Sequence, residues 1–281
     1  GNGWSEEITG GTIIITGNNG NANGYGTFHI ANTCDFTPTG GKVKFTDTTY
    51  DADIQILNTN SNFYNLEIDR NGKSVSSFNN TLNVTNDLNI TAGTFKLENG
   101  MYANSIFINQ EHELVVQSGE TLAFIDQSGA GFKAPTTTSG NEGILIINGT
   151  ASNIATVTSL GSPNPNNRWT IDNIGGGTTI STLSTHGLIK GFNGYNCWGN
   201  NNCNFNDTTI KDYTGWIYIH SYGGSTPVMT NTIINGSAGT SGIQLSNANY
   251  ELNNITITDV SGNHIQTGCC GSPQIKLKNS N

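Results

Sequence analysis

Hydrophobic residues along this chain fall in short runs or strict alternation. Thr12-Ile13-Ile14-Ile15-Thr16, Val43-Lys44-Phe45, Leu66-Glu67-Ile68, Leu82-Asn83-Val84, Leu88-Asn89-Ile90 and Phe95-Lys96-Leu97 are each bounded by Gly, Asn, Asp or Thr. A period of two, framed by turn residues, predicts strands that bury one face. Nowhere do apolar residues recur at i, i+3, i+4 and i+7 over three turns, so helix is expected to be nearly absent.

The strands repeat. Phe205-Asn206-Asp207-Thr208-Thr209-Ile210, Met229-Thr230-Asn231-Thr232-Ile233-Ile234 and Leu252-Asn253-Asn254-Ile255-Thr256-Ile257 align as apolar-x-Asx-x-x-Ile, at spacings of 24 and 23 residues. A second apolar step follows each unit, at Trp216 to Ile219, at Ile243 to Leu245 and at Ile265, and a fourth unit begins at Gln274-Ile275-Lys276-Leu277. A period of this length with two or three short strands fits one coil of a solenoid, which hides its inward side chains only by stacking on neighbouring coils. Asp207, Asn231 and Asn254 are then expected to form a polar ladder at one corner, and Ile210, Ile234 and Ile257 an inward stack.

These units resemble the right-handed parallel β-helix repeats of the pectin-lyase-like superfamily, found in secreted and surface proteins of microbes. The stretch from Phe63 to Leu97 is similar to the coils of large microbial surface proteins. The resemblance implies an all-β fold: a right-handed parallel β-helix forming a single elongated body. Residues 1–160 are expected to be an N-terminal solenoid section and 161–281 a C-terminal section of about 23-residue coils, continuous with it. The segment Gly161-Ser162-Pro163-Asn164-Pro165-Asn166-Asn167 reads as a loop between them.

Composition narrows the function. Charged residues make up 11% of the 281 positions, against roughly 25% in an ordinary domain, and Gly, Asn and Thr are abundant, all weak helix formers. With 20 acids against 11 Lys and Arg, no basic stripe exists to displace counterions from phosphates, so nucleic acid is not an expected partner. The longest aliphatic run, Ile144 to Ile147, is far short of the roughly 20 residues that span a bilayer. The chain opens on Gly rather than Met, as after removal of a signal peptide or trimming, and an extracellular, cell-surface location is expected.

Candidate chemistry is thin. Enzymes of the resembled superfamily cut acidic polysaccharides with clustered Asp residues, sometimes with calcium, and an Arg or Lys near the substrate carboxylate. Here the two arginines, Arg70 and Arg168, stand in loop-like settings, and Asp172, Asp207 and Asp212 read as solvated or corner-packed acids. No catalytic residue is assigned and no cofactor is expected. Structural calcium has one candidate group, Asp47, Asp51 and Asp53. Thr230 and Thr232 do not align with Thr256 and Thr258, because Thr232 falls over Ile255, so no threonine array for ordering ice is expected.

Five cysteines in an acidic, exported chain suggest disulfides. Cys197 and Cys203 can close one loop, while Cys34 and the adjacent Cys269 and Cys270 are candidates for links between subunits. Seven sequons, at Asn79, Asn83, Asn89, Asn148, Asn206, Asn235 and Asn254, are possible glycosylation sites. They are not enriched, since 42 asparagines and 59 Ser plus Thr among 281 residues predict about nine by chance. A solenoid end that lacks a cap exposes an apolar cross-section and unpaired backbone. The expected function is therefore structural: a self-assembling extracellular protein of a sheath, surface layer or filament, with other copies of itself as partner. The alternatives are a surface-glycan-binding adhesin or spike using Tyr195, Trp198, Trp216, Tyr218 and Tyr222, or a polysaccharide lyase or hydrolase.

Overall fold

In a computed structural model the protein is all β. The structure describes residues 5–6, 8–17, 27–46, 49–58, 60–77, 81–97, 105–108, 113–125, 131–133, 142–160, 169–171, 179–199, 203–221, 226–236, 240–268 and 273–280, and none of these is helical. The strands form long parallel ladders, compatible with a β-solenoid. One antiparallel bridge, Ile180 to Trp198, is the exception among the described residues.

Over most of the chain each strand pairs with the third strand after it. A first ladder climbs through Thr9–Ile15, Gly40–Thr46, the start of Leu66–Ser77, the start of Leu88–Leu97, Glu113–Gln117, Glu142–Asn148, Thr179–Thr185, Asn204–Asn206, Val228–Thr230, Tyr250–Asn253 and Ile275–Lys278. A second runs from Phe28–Ile30 through Ala52–Ile56, the ends of the two long strands, Thr121–Ile125, Ala155–Leu160, Gly187–Lys190, Thr209–Lys211 and Ile233–Asn235 to Thr256–Thr258. The third joins Thr81–Val84, Ser105–Ile108, Gly131–Lys133, Trp169–Ile171, Phe192–Gly199, Trp216–Ser221, Ile243–Ser246 and Ile265–Thr267.

The register predicted for the C-terminal units is the one observed. Phe205 pairs with Met229, Met229 with Leu252 and Leu252 with Leu277, at separations of 24, 23 and 25 residues. Coils in the middle are longer. Leu88 to Leu114 is 26 residues, Leu114 to Leu145 is 31, and Leu145 to Thr182 is 37. The interruption expected at 161–167 lies outside the described residues.

Alternation decides what is buried. Ile189, Ile210, Ile234 and Ile257 stand over one another in the second ladder, and all are buried, Ile257 at 7% exposure being the most open. Stacking of like aliphatic side chains about 4.8 Å apart removes nearly all of their apolar surface from water, the main favourable contribution to folding. Aromatic rings pack at two levels of this core. Phe28, Phe36, Phe45 and Phe63 cluster near the N-terminus, and the rings of Phe192 and Tyr213 stack at 5.2 Å.

The corner between the first and second ladders is built from left-handed residues at successive levels. Gly72, Gly93 and Gly119 supply it in the N-terminal half; His186, Asp207, Asn231, Asn254 and Asn279 supply it in the C-terminal half, with φ between 45° and 56°. Asn and Asp tolerate this conformation better than other residues with side chains. Their amides also connect the levels: Asn231 Nδ2 donates to Asp207 Oδ1 at 2.9 Å, and Asn254 Nδ2 to Asn231 Oδ1 at 2.8 Å. This is the polar ladder that the repeat predicts.

Candidate functional site

The outer face of the third ladder at its C-terminal end is the most distinctive surface. Its four strands, Phe192–Gly199, Trp216–Ser221, Ile243–Ser246 and Ile265–Thr267, contain no charged residue. Ile217, Ile219, Ile243 and Leu245 point inwards and are buried. The alternate positions turn outwards, and Trp216 remains 44% exposed. Trp216 pairs with Gly194, and a Cβ added there would stand 3.0 Å from two atoms of the indole. Glycine at 194 is thus what lets the ring lie down against the sheet. The indole edge is fixed as Trp216 Nε1 donates to Asn196 Oδ1 at 2.9 Å. Beside it, Asn196, Tyr218, Gln244 and Gln266 form one column, in register across four coils.

Beside Tyr218, one step along the same face of the strands, lies a buried polar network that the sequence does not signal. Ser246 Oγ is 2.7 Å from both His220 Nδ1 and the Tyr218 hydroxyl, and Tyr218 Oη is 3.1 Å from the same ring nitrogen. Asn247 Nδ2 faces His220 Nε2 at 3.4 Å. An amide NH2 can only donate, so that geometry places the imidazole proton on Nδ1. Burial pushes the His220 pKa down from its usual value, which keeps the ring neutral. Tyr250 Oη accepts from the Ser246 backbone N–H at 3.1 Å and donates to its carbonyl at 2.6 Å. Ser246 is fully buried, so its contact with His220 orients Tyr218 rather than presenting a nucleophile.

A second concave feature sits at the glycine corner. A groove of about 490 Å3 is lined by Asp51, Lys73, Ser74, Lys96 and Glu120 among others, and Gly72, Gly93 and Gly119 also border it. Asp51 accepts from the Ser74 backbone N–H at 2.7 Å, the chief cause of a lowered pKa, reinforced by the Ser74 hydroxyl at 3.0 Å. Burial raises the pKa of Glu120, which accepts from the Gly93 backbone N–H.

The residues singled out by sequence distribute as follows. Cys197 and Cys203 are joined by a disulfide with Cα atoms 6.0 Å apart. Cys34 is a free, half-buried thiol; Cys269 and Cys270 lie outside the described residues. Of the calcium candidates, Asp51 is engaged by Ser74, the Asp53 backbone N–H donates to Thr27 Oγ1 at 3.2 Å, and Asp47 is outside the described residues. The described residues gather no group of three or more metal-binding side chains. Among the sequons, Asn148, Asn206 and Asn254 are exposed, Asn83, Asn89 and Asn235 are half-buried, and Asn79 is not described.

Two expectations need correction. Arg70 is not in an open loop; it lies within the strand Leu66–Ser77, fully buried, donating to the carbonyls of Gly17 and Tyr50. Tyr195 cannot serve as an exposed glycan contact, because it is fully buried and its hydroxyl bonds Thr182 at 2.7 Å. Alternation explains the second: Tyr195 lies in register with Ile217 on the inward side of the strand. Asp207 and Asp212 both occupy left-handed corners. His186 Nε2 stands 4.0 Å from Asp207 Oδ2, and Asp172, Arg168 and Tyr222 are outside the described residues.

No family model, no curated protein and no solved structure matches the chain.

Proposed function

We propose that the chain is a right-handed parallel β-helix of the pectin-lyase-like kind and that it serves as a self-assembling structural element of a cell surface: a sheath, surface layer or filament. The reading rests above all on the three parallel ladders, the first of which runs from Thr9 to Lys278. In such a fold each coil contacts only its neighbours, and stability accumulates as a sum of like interfaces, which suits a load-bearing rod. Contact between subunits then uses the same strand pairing that builds the coil. The Cys197–Cys203 disulfide fits an oxidising compartment, and the half-buried Cys34 thiol offers a covalent lock between copies.

Electron microscopy of the purified native protein tests this. Fibres or sheets forming without added ligand are the expected result, and a denaturing gel should show reductant-sensitive oligomers that Cys34→Ser removes. Monodisperse monomers in solution, with a single band in both gel conditions, would overturn the proposal.

A further inference from the structure

We propose that the outer face of the third ladder between residues 194 and 266 binds a neutral glycan, with a sugar ring stacked on Trp216 and its hydroxyls met by the column of Asn196, Tyr218, Gln244 and Gln266. This goes beyond a structural role and depends on different residues from those that build the rod.

Three observations select the ligand. The indole of Trp216 is 44% exposed yet held in place, since Gly194 leaves room for it and Asn196 Oδ1 accepts its N–H. An exposed apolar ring fixed in advance costs little entropy on binding, and its negative π face complements the polarised C–H bonds on one side of a pyranose. The adjacent column then presents amide and phenol groups about every 4.8 Å, the strand spacing, an interval on the scale of a sugar unit. Amides both donate and accept, as hydroxyl-rich ligands require.

Charge decides between classes of ligand. No Lys, Arg, Asp or Glu occurs in the four strands, and His220 is buried within the Ser246 and Tyr218 network. A uronate or a nucleic acid would find no cation here to replace its hydration or its counterions. A neutral sugar loses nothing by that absence. The neighbouring Ser246–His220 network on the same face holds the Tyr218 hydroxyl, so the phenol is a positioned contact rather than a free rotor.

Affinity electrophoresis of the full chain through gels containing laminarin, galactomannan or dextran, with polygalacturonate and alginate as charged counterparts, tests the proposal. Retardation is expected in at least one neutral gel and in neither charged gel. Trp216→Ala should weaken it at least tenfold and Gln244→Ala several-fold, while Tyr50→Ala, which removes an exposed ring on a different coil, should leave it unchanged. Gln266→Glu alters an exposed side chain and should weaken binding about fivefold; it serves in place of Trp216→Ala if that variant does not fold. No retardation in any neutral gel, retardation only by the acidic polymers, or full binding by Trp216→Ala and Gln266→Glu would overturn the proposal. Assembly, scored separately by microscopy, fails or succeeds independently.

Discussion

The corner between the first and second ladders is made twice with different chemistry. Glycines at 72, 93 and 119 turn the chain in the N-terminal half, whereas His186, Asp207, Asn231, Asn254 and Asn279 turn it in the C-terminal half, all with positive φ. Glycine adopts this conformation without a steric penalty; a Cβ would meet open space at Gly72 but backbone carbonyls at Gly93, and Asp51, Lys96 and Glu120 line a polar groove at this corner. Asparagine accepts modest strain and returns a side-chain ladder that bonds one coil to the next. The backbone requirement is therefore shared, while one half sets a charged groove at the corner and the other a ladder of Asp207, Asn231 and Asn254 side chains.

Substitutions can break this comparison, and the core beneath it sets the upper limit. Ile234→Asp buries a charge in the fully covered isoleucine stack and should cost upwards of about 4 kcal/mol, measured as a collapse of the urea midpoint; an unchanged midpoint would refute the inward register. Next in size is Gly93→Ala. Its Cβ would collide with the carbonyl oxygens of Arg70 and, at 2.5 Å, Lys73, at φ 93°, so a loss of about 3 kcal/mol is expected. Gly93→Asn should fare no better, because the collision is with the Cβ itself, which would show that the two corner chemistries are not interchangeable.

In the C-terminal half, Asn231→Ala removes both amide contacts and leaves a left-handed alanine, for a loss of about 1 to 2 kcal/mol. Asn231→Gly keeps the conformation and loses only the ladder, so it should cost less than Asn231→Ala; equal costs for the two in thermal denaturation would show that the ladder, not the backbone, dominates. The smallest effect is on pH dependence. His220 has a lowered pKa in the folded protein, so the unfolded chain binds the extra proton first, and stability should fall as pH drops below the ordinary histidine value of 6.5. Glu120, raised by burial, works in the opposite sense: its contribution is present below 4.5 and is lost as pH rises through its folded value. His220→Phe should flatten the loss below 6.5, as followed by melting temperature across pH 5 to 8.

Much of this architecture is legible in the sequence where coils are regular. Phe205, Met229 and Leu252 share a spacing and a polar corner, so their register follows from alignment alone. The coils between Leu88 and Thr182 hide theirs, because 26, 31 and 37 residues separate equivalent strands and no fixed period survives. Buried polar groups are the second blind spot. Arg70 and His220 look like ordinary surface residues in one dimension, and the groups that approach them, Gly17 and Tyr50 for Arg70 and Ser246 for His220, come from other parts of the chain. Trp216 was recognisable as a candidate contact, but the glycine that lets it lie flat, Gly194, is a pairing relation between coils.

Paired residues in the first ladder are never more than 37 positions apart, however distant their coils are from the chain's ends. Contact separation stays bounded as coils are added, so a long chain of this design folds with a short chain's loop-closure cost. Each finished coil is a template for the next, and structure can propagate in one direction from a single nucleus. A polypeptide emerging slowly, as during synthesis or passage through a narrow exit, could then become ordered at the rate it is delivered.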